Sequence, residues 1–152
     1  SIMGSGQCTI KKKMKGEILE PYISFKHPKS AISTSAKIGK GSVIAPGAVV
    51  AARTVLGQHV LANYNCKIGH DSSIGELSTV SPGAFIGGFC KSGDAVYVGA
   101  NAAIREGITI GDNSIIAMGA VVVKDVPPDS IAIGNPGQIY SISEWERMKK
   151  HK

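Results

Sequence analysis

His70 and Asp71, in Lys67-Ile68-Gly69-His70-Asp71, are the residues whose types and spacing suit proton transfer. An imidazole that titrates near neutrality can take a proton from an attacking amine or hydroxyl, and a neighbouring carboxylate can fix its tautomer and raise its basicity. Spacing alone leaves a second reading open, a solvent-exposed corner with no task. A covalent route through a thiolate is less attractive. Cys66 and Cys90 occupy positions that the pattern below turns inward, and Cys8 lies ahead of that pattern.

The elements that position His70 follow from a repeat. Aliphatic residues recur every six positions at Ile32, Ile38, Ile44, Val50, Leu56, Ile68, Ile74, Val80, Ile86, Val98, Ile104, Ile110, Ile116 and Val122, and only Ala62 and Ser92 depart in sixteen successive slots. Two residues before each slot the side chain is nearly always small, as at Ser42, Ala48, Thr54, Cys66, Ser72, Ala84 and Cys90, with Ile108 the bulky exception. Strand side chains alternate, so the small and the aliphatic residue both point inward.

Two residues after the slot come Lys40, Gln58, His70, Glu76, Asp94, Glu106, Asp112 and Lys124, which cannot all be buried. The strand therefore turns a corner there. Glycine often follows the slot (Gly39, Gly57, Gly69, Gly75, Gly87, Gly93, Gly99, Gly111), consistent with a prism wound from short parallel strands. Period six keeps no single helical face, which excludes an amphipathic helix. Periodicity gives neither the number of sides nor the hand.

At 152 residues, 43% hydrophobic and 5% aromatic with 19 glycines, the chain suits one domain with an Ile/Val core between tight corners. The net charge of +6 gathers partly in terminal clusters, Lys11 to Lys13 and Lys149 to Lys152. With no interleaved aromatics these are read as solvated ends, and no nucleic-acid partner is expected. Three cysteines without close pairing suit a reducing compartment, so a cytoplasmic location is expected. No apolar run is long enough to span a bilayer, and no membrane insertion is expected.

The hexads resemble those of the hexapeptide-repeat acyltransferases over about residues 27 to 140. The resemblance implies an all-β, left-handed parallel β-helix: a three-sided prism of eighteen-residue coils, about five in number. Within it, Leu61-Ala62-Asn63, Ile68-Gly69-His70-Asp71, Ile74-Gly75-Glu76 and Val80-Ser81-Pro82-Gly83-Ala84 are similar to a segment shared by the NeuD-type sialic acid O-acetyltransferases and the amino-sugar N-acetyltransferases of bacillosamine and perosamine synthesis.

That resemblance assigns general base to His70 and its basicity-raising partner to Asp71, with Asn63 supporting. It places acetyl-CoA contacts at Thr79, Gly88, Ala100 and Met118. Gly88 lies eighteen residues after His70 and Met118 eighteen after Ala100, so each pair shares an edge. Thr79 stands where bacillosamine-type enzymes carry a second histidine, and Met118 where they carry glycine. The closing signature, which usually ends Gly-Asn-Pro-Ala-Lys, reads Gly134-Asn135-Pro136-Gly137-Gln138. Lys124 or Arg105 could supply the missing cation.

The expected activity is direct acetyl transfer from acetyl-CoA to an amino group of a nucleotide-linked amino sugar, with a backbone N–H stabilising the oxyanion. The expected assembly is a homotrimer with sites between prisms. O-acetylation of sialic acid or a polysaccharide hydroxyl is the alternative, and a non-catalytic β-helix scaffold a further one. The γ-class carbonic anhydrases share such prisms, but His59 and His70 are too few for their three-histidine zinc, and no metal is expected.

Three segments are expected. Residues 1–26 are a tag scar (Ser1 to Gly6) and a lead-in that resembles the junction after an absent N-terminal sugar-nucleotide-binding domain. Residues 27–140 are the prism, and 141–152 a short C-terminal helix and tail with Ser143 as its cap.

Overall fold

The computed structural model describes residues 23–150. Lys11 to Lys13, Cys8, Ser1 to Gly6 and the last two residues lie outside the described residues. The chain winds into a three-sided parallel β-solenoid. Sheet A holds β1 (Phe25–Lys26), β4 (Val43–Ile44), β7 (Leu61–Ala62), β10 (Thr79–Val80), β13 (Tyr97–Val98), β16 (Ile115–Ile116), β18 (Ser130–Ile133) and the antiparallel β19 (Gln138–Ser141). Sheet B holds β2 (Ala31–Ile32), β5 (Val49–Val50), β8 (Lys67–Ile68), β11 (Phe85–Ile86), β14 (Ala103–Ile104) and β17 (Val121–Val122). Sheet C holds β3 (Lys37–Ile38), β6 (Val55–Leu56), β9 (Ser73–Ile74), β12 (Lys91–Ser92) and β15 (Thr109–Ile110).

Each of β1 to β14 pairs with the strand three places on in eighteen-residue register, as in Lys67↔Phe85 and Phe85↔Ala103, and β16 meets β18 at sixteen residues, Ile115↔Ile131. The prism runs to about six turns. It exceeds the hexad count because β1 precedes the first counted slot and β18 follows the last.

The slots build the core. Ile44, Val50, Leu56, Ile68, Ile86, Ile104, Ile110 and Ile116 are buried, with Ala48, Cys66, Ala84, Cys90 and Ala120 in the small positions between them. Val60 and Val96 also occupy small positions and are buried; Val60 shares its strand turn with Ala62, a small residue in an aliphatic slot. Buried hydroxyls in the small positions are satisfied by the next coil. Ser72 Oγ donates to the Gly87 carbonyl at 3.1 Å and accepts the Cys90 N–H at 3.1 Å, and Ser42 repeats the pattern with Gly57 and Val60.

The corners differ from the sequence expectation in one respect. Positive φ falls three residues after the slot, at Arg53, His59, Asn65, Asp71, Leu77, Phe89, Ala95, Asn101 and Asn113 and at Gly41, Gly47, Gly83, Gly107 and Gly119. The glycines one residue after the slot have another reason. A Cβ on Gly69 would lie 2.5 Å from Gly87 C and Gly88 N, so these glycines let successive backbones stack.

The C-terminal helix α1 (Ile142–Lys150) is present, but its cap is Ser141 rather than Ser143. Ser141 Oγ accepts the Glu144 N–H at 3.2 Å while the Glu144 carboxylate accepts the Ser141 N–H at 2.9 Å, a reciprocal box that satisfies two amides at once. Tyr140 and Trp145 bring their rings to 6.0 Å and link α1 to β19. No helix among the described residues is long and apolar enough to cross a membrane.

Candidate active site

His70 sits on the corner between sheets B and C, after β8 and before β9. Residues in phase with it on this edge are Ala52, Gly88, Glu106 and Lys124, one per coil. The imidazole is 54% exposed and its Nδ1 lies 2.8 Å from Asp71 Oδ2. Arg53, one coil earlier, grips the same carboxylate with both branches: Nε to Oδ1 at 2.6 Å and Nη2 to Oδ2 at 2.8 Å. Hydrogen bonds from Arg53 first and His70 second hold the Asp71 carboxyl well below the usual carboxylate range, at about 2.

That ionisation settles the histidine tautomer. A carboxylate can only accept, so Nδ1 must donate to it, and Nε2 of the neutral ring carries the free lone pair. Phe89, one coil later, meets the ring edge-to-face with centroids 5.0 Å apart. Gly88 closes in on the other side: a Cβ there would lie 2.8 Å from Cε1 and 2.9 Å from Nε2. Only a residue without a side chain leaves the imidazole in this pose.

A groove of about 520 Å³ opens here, lined by Ala51, Gly69, His70, Phe85, Gly88 and Arg105 among others. The Gly88 N–H donates to no group among the described residues. On the edge between sheets C and A two of the corresponding amides are capped, Glu76 N–H by Asp94 at 2.8 Å and Asp94 N–H by Asp112 at 2.9 Å.

The structure thus brings together His70, Asp71 and Gly88. It sets Asn63, Ala100 and Met118 on a different edge, between sheets A and B, where Asn63 Oδ1 accepts the Tyr64 N–H at 2.8 Å and Met118 is 77% exposed. Thr79 belongs to neither set. It lies on β10 in sheet A, 2% exposed, and its hydroxyl has no hydrogen-bond partner among the described residues. In the single chain Thr79 therefore does not line the groove, because its side chain is covered.

Lys124 and Gln138 line one depression of about 400 Å³ at the end of sheet B. Arg53 and Phe89 were not singled out from the sequence. The signal that could have found them is phase, since 53, 71 and 89 are eighteen apart. Cys66 and Cys90 are buried as expected; burial pushes the Cys66 thiol up to about 12 and raises that of Cys90. Among the described residues no group of three or more His, Cys, Asp or Glu is placed to hold a metal.

Residues 93–124 match the bacterial transferase hexapeptide (six repeats) family. The acetyltransferase domain of PglB from Neisseria gonorrhoeae FA1090 shares 30% identity at a TM-score of 0.83, over 90% of this chain and 68% of that one. The chain belongs to the hexapeptide-repeat acyltransferases. Two further solved structures to which the chain is similar are PerB from Caulobacter crescentus, solved in complex with CoA and GDP-perosamine, and WeeI from Acinetobacter baumannii AYE. PerB gives 25% identity and a TM-score of 0.87 over 92% of this chain and 69% of that one. WeeI gives 27% and 0.83 over 91% and 69%. The Neisseria domain has also been solved with acetyl coenzyme A. A sequence search of curated proteins found no match.

Proposed function

We propose that this hexapeptide-repeat acyltransferase moves an acetyl group from acetyl-CoA to the amino group of a nucleotide-linked amino sugar, with His70 as general base. The observation that carries the reading is the His70 Nδ1 contact to an ionised Asp71, which leaves Nε2 as the acceptor on the groove wall. The relatives solved with CoA and GDP-perosamine, and with acetyl coenzyme A, support the substrate pair.

In this mechanism Nε2 takes the amine proton as nitrogen bonds to the thioester carbonyl carbon. The uncapped Gly88 N–H is the candidate donor to the oxyanion. As the carbon–sulfur bond breaks, the imidazolium returns the proton to the departing thiolate, and the base is regenerated. Lys124 offers the cation that Gln138 lacks, since both line the depression above the groove. The edge stack from His70 to Lys124 spans three coils, about 14 Å at ordinary strand spacing, a reach that suits an extended pantetheine arm.

Asn63, Ala100 and Met118 enter the same reading through a homotrimer. A ligand that touches both edges is accommodated when one copy supplies the His70 edge and its neighbour the Ala100 and Met118 edge. The deciding experiment measures CoA release by wild type and His70→Ala with acetyl-CoA and a panel of nucleotide-linked 4-amino sugars and sialic acids. A loss of at least about 100-fold in His70→Ala is expected for a general base. Normal turnover by that variant would sink the assignment, and turnover only with hydroxyl acceptors would make the protein an O-acetyltransferase.

A further inference from the structure

We propose that Arg53 is a positioning residue: by clamping the Asp71 carboxylate and offsetting its charge, it keeps the His70 imidazole oriented and limits the pull of that carboxylate toward the imidazolium. The proposal rests on the reading of His70 as general base.

One carboxylate oxygen is shared. Asp71 Oδ2 faces His70 Nδ1 at 2.8 Å and Arg53 Nη2 at 2.8 Å, while Oδ1 is held by Arg53 Nε at 2.6 Å. A lone carboxylate beside an imidazole favours the imidazolium, which has no lone pair left to accept a proton. A guanidinium across the carboxylate cancels much of that field. Its planar fork also fixes the carboxylate plane, and through it the imidazole. The Arg53 side chain is 66% exposed, so the pair adds little to stability. Its consequence lies at His70.

The coil geometry makes this arrangement specific. Arg53 and Asp71 occupy the same corner position one coil apart, both with φ of 57°, so their side chains leave the edge in parallel. Arg53 N–H donates to Ser35 Oγ at 3.0 Å, one coil earlier again. The other groups near His70 are Phe89 and Gly88 from the coil above, which are uncharged, and Arg105 and Glu106 on the groove wall. Lys67 and Lys91 stand exposed on the flanking strands β8 and β12. All of these remain when Arg53 is changed, so they drop out of the difference.

The test titrates the His70 Cε1 proton by NMR in ligand-free wild type, Arg53→Gln and Arg53→Lys, with the resonance assigned by its loss in His70→Ala. The pH profile of kcat/KM is recorded beside it. In Arg53→Gln the His70 pKa should rise by about half a unit, the effect of one nearby charge largely screened by water, and the acid limb of kcat/KM should move up with it. Arg53→Lys returns the charge without the fork and should restore the pKa while leaving kcat below wild type.

An unmoved or lowered His70 pKa in Arg53→Gln overturns the proposal, as does an equal rise in Arg53→Lys. Thermal melting shows which variants are folded, and Arg53→Met is titrated in place of Arg53→Gln if the latter melts low. The NMR arm needs no substrate. It therefore judges Arg53 even if normal turnover by His70→Ala sinks the general-base reading.

Discussion

Gly88→Ala should remove most of the transfer activity while leaving the prism intact. The new Cβ would stand 2.8 Å from His70 Cε1, 2.9 Å from Nε2 and 3.2 Å from Nδ1, where ordinary contact begins near 3.4 Å. The ring must retreat by about 0.6 Å, the difference between contact distance and the closest approach. It can do so cheaply, because the side chain is 54% exposed and free to swing into solvent. The swing breaks the 2.8 Å contact to Asp71 that sets the tautomer. Misplacing a catalytic group by about 1 Å costs on the order of 100-fold, so a fall in kcat/KM of about 10- to 100-fold is expected. The backbone should tolerate alanine, since Gly88 is not among the residues with positive φ. Thermal unfolding should then stay within about 2 °C of wild type, the shift expected for well under 1 kcal/mol in a chain of this size. The assay pairs CoA release with a melting curve. Turnover within twofold of wild type would refute the claim that the ring must hold this pose, and a large drop in melting temperature would make Gly88 a scaffold glycine instead.

Four further outcomes follow from the same geometry. Gly69→Ala puts a Cβ 2.5 Å from the backbone of the next coil, so overpacking of about 1–3 kcal/mol should lower the melting temperature by several degrees, unlike Gly88→Ala. The Asp71 carboxyl is depressed from 3.8 to about 2 in the folded protein, so its stabilising contribution is complete above the unfolded pKa and is lost as pH falls through about 2. Acid unfolding of wild type and Asp71→Asn should converge there. Lys124→Ala should raise KM for acetyl-CoA with kcat little changed, and the effect should fade at high salt in steady-state kinetics. Mixing inactive His70→Ala with a Met118→Trp variant blocked for acetyl-CoA should recover activity in reassembled oligomers if sites form between copies, and light scattering should find trimers.

The fold was legible because the hexad repeats its instructions. Inward slots at Ile68, Ile86 and Ile104, with small residues two places earlier, encode a strand and its core contact without reference to distant sequence. The corner was legible only in part. Glycines such as Gly69 and Gly87 read as turn residues, yet their role is to let backbones stack. The left-handed residue three after the slot carries only a partial compositional signal: Gly or Asn holds it at Gly41, Gly47, Asn65, Gly83, Asn101, Gly107, Asn113 and Gly119, but Arg53, Leu77 and Phe89 hold it too. Neighbouring coils explain this, since the Asp71 and Phe89 amides donate to the Ala52 and His70 carbonyls at 2.9 Å and fix the backbone whatever the side chain. At the site, His70 and Asp71 were legible as adjacent residues, whereas Arg53 and Phe89 become visible only after the eighteen-residue turn brings them into one file.

Core and site are thus written in different positions of the same hexad. The slot and the residue two before it face inward and decide whether coils stack. The three residues after the slot stand on the edge and decide what one corner can do. At Ile68 these are Gly69, His70 and Asp71. One coil earlier the third of them is Arg53, and one coil later the last two are Gly88 and Phe89. The five other than Gly69 can be read as chemistry because the scaffold needs little from them. It follows that substitutions at Arg53, His70, Asp71 and Phe89 should change rate and pH dependence far more than melting temperature. Substitutions at Ser72, whose hydroxyl bridges Gly87 and Cys90 beneath the same corner, should do the reverse, because they leave the buried Cys90 N–H without an acceptor.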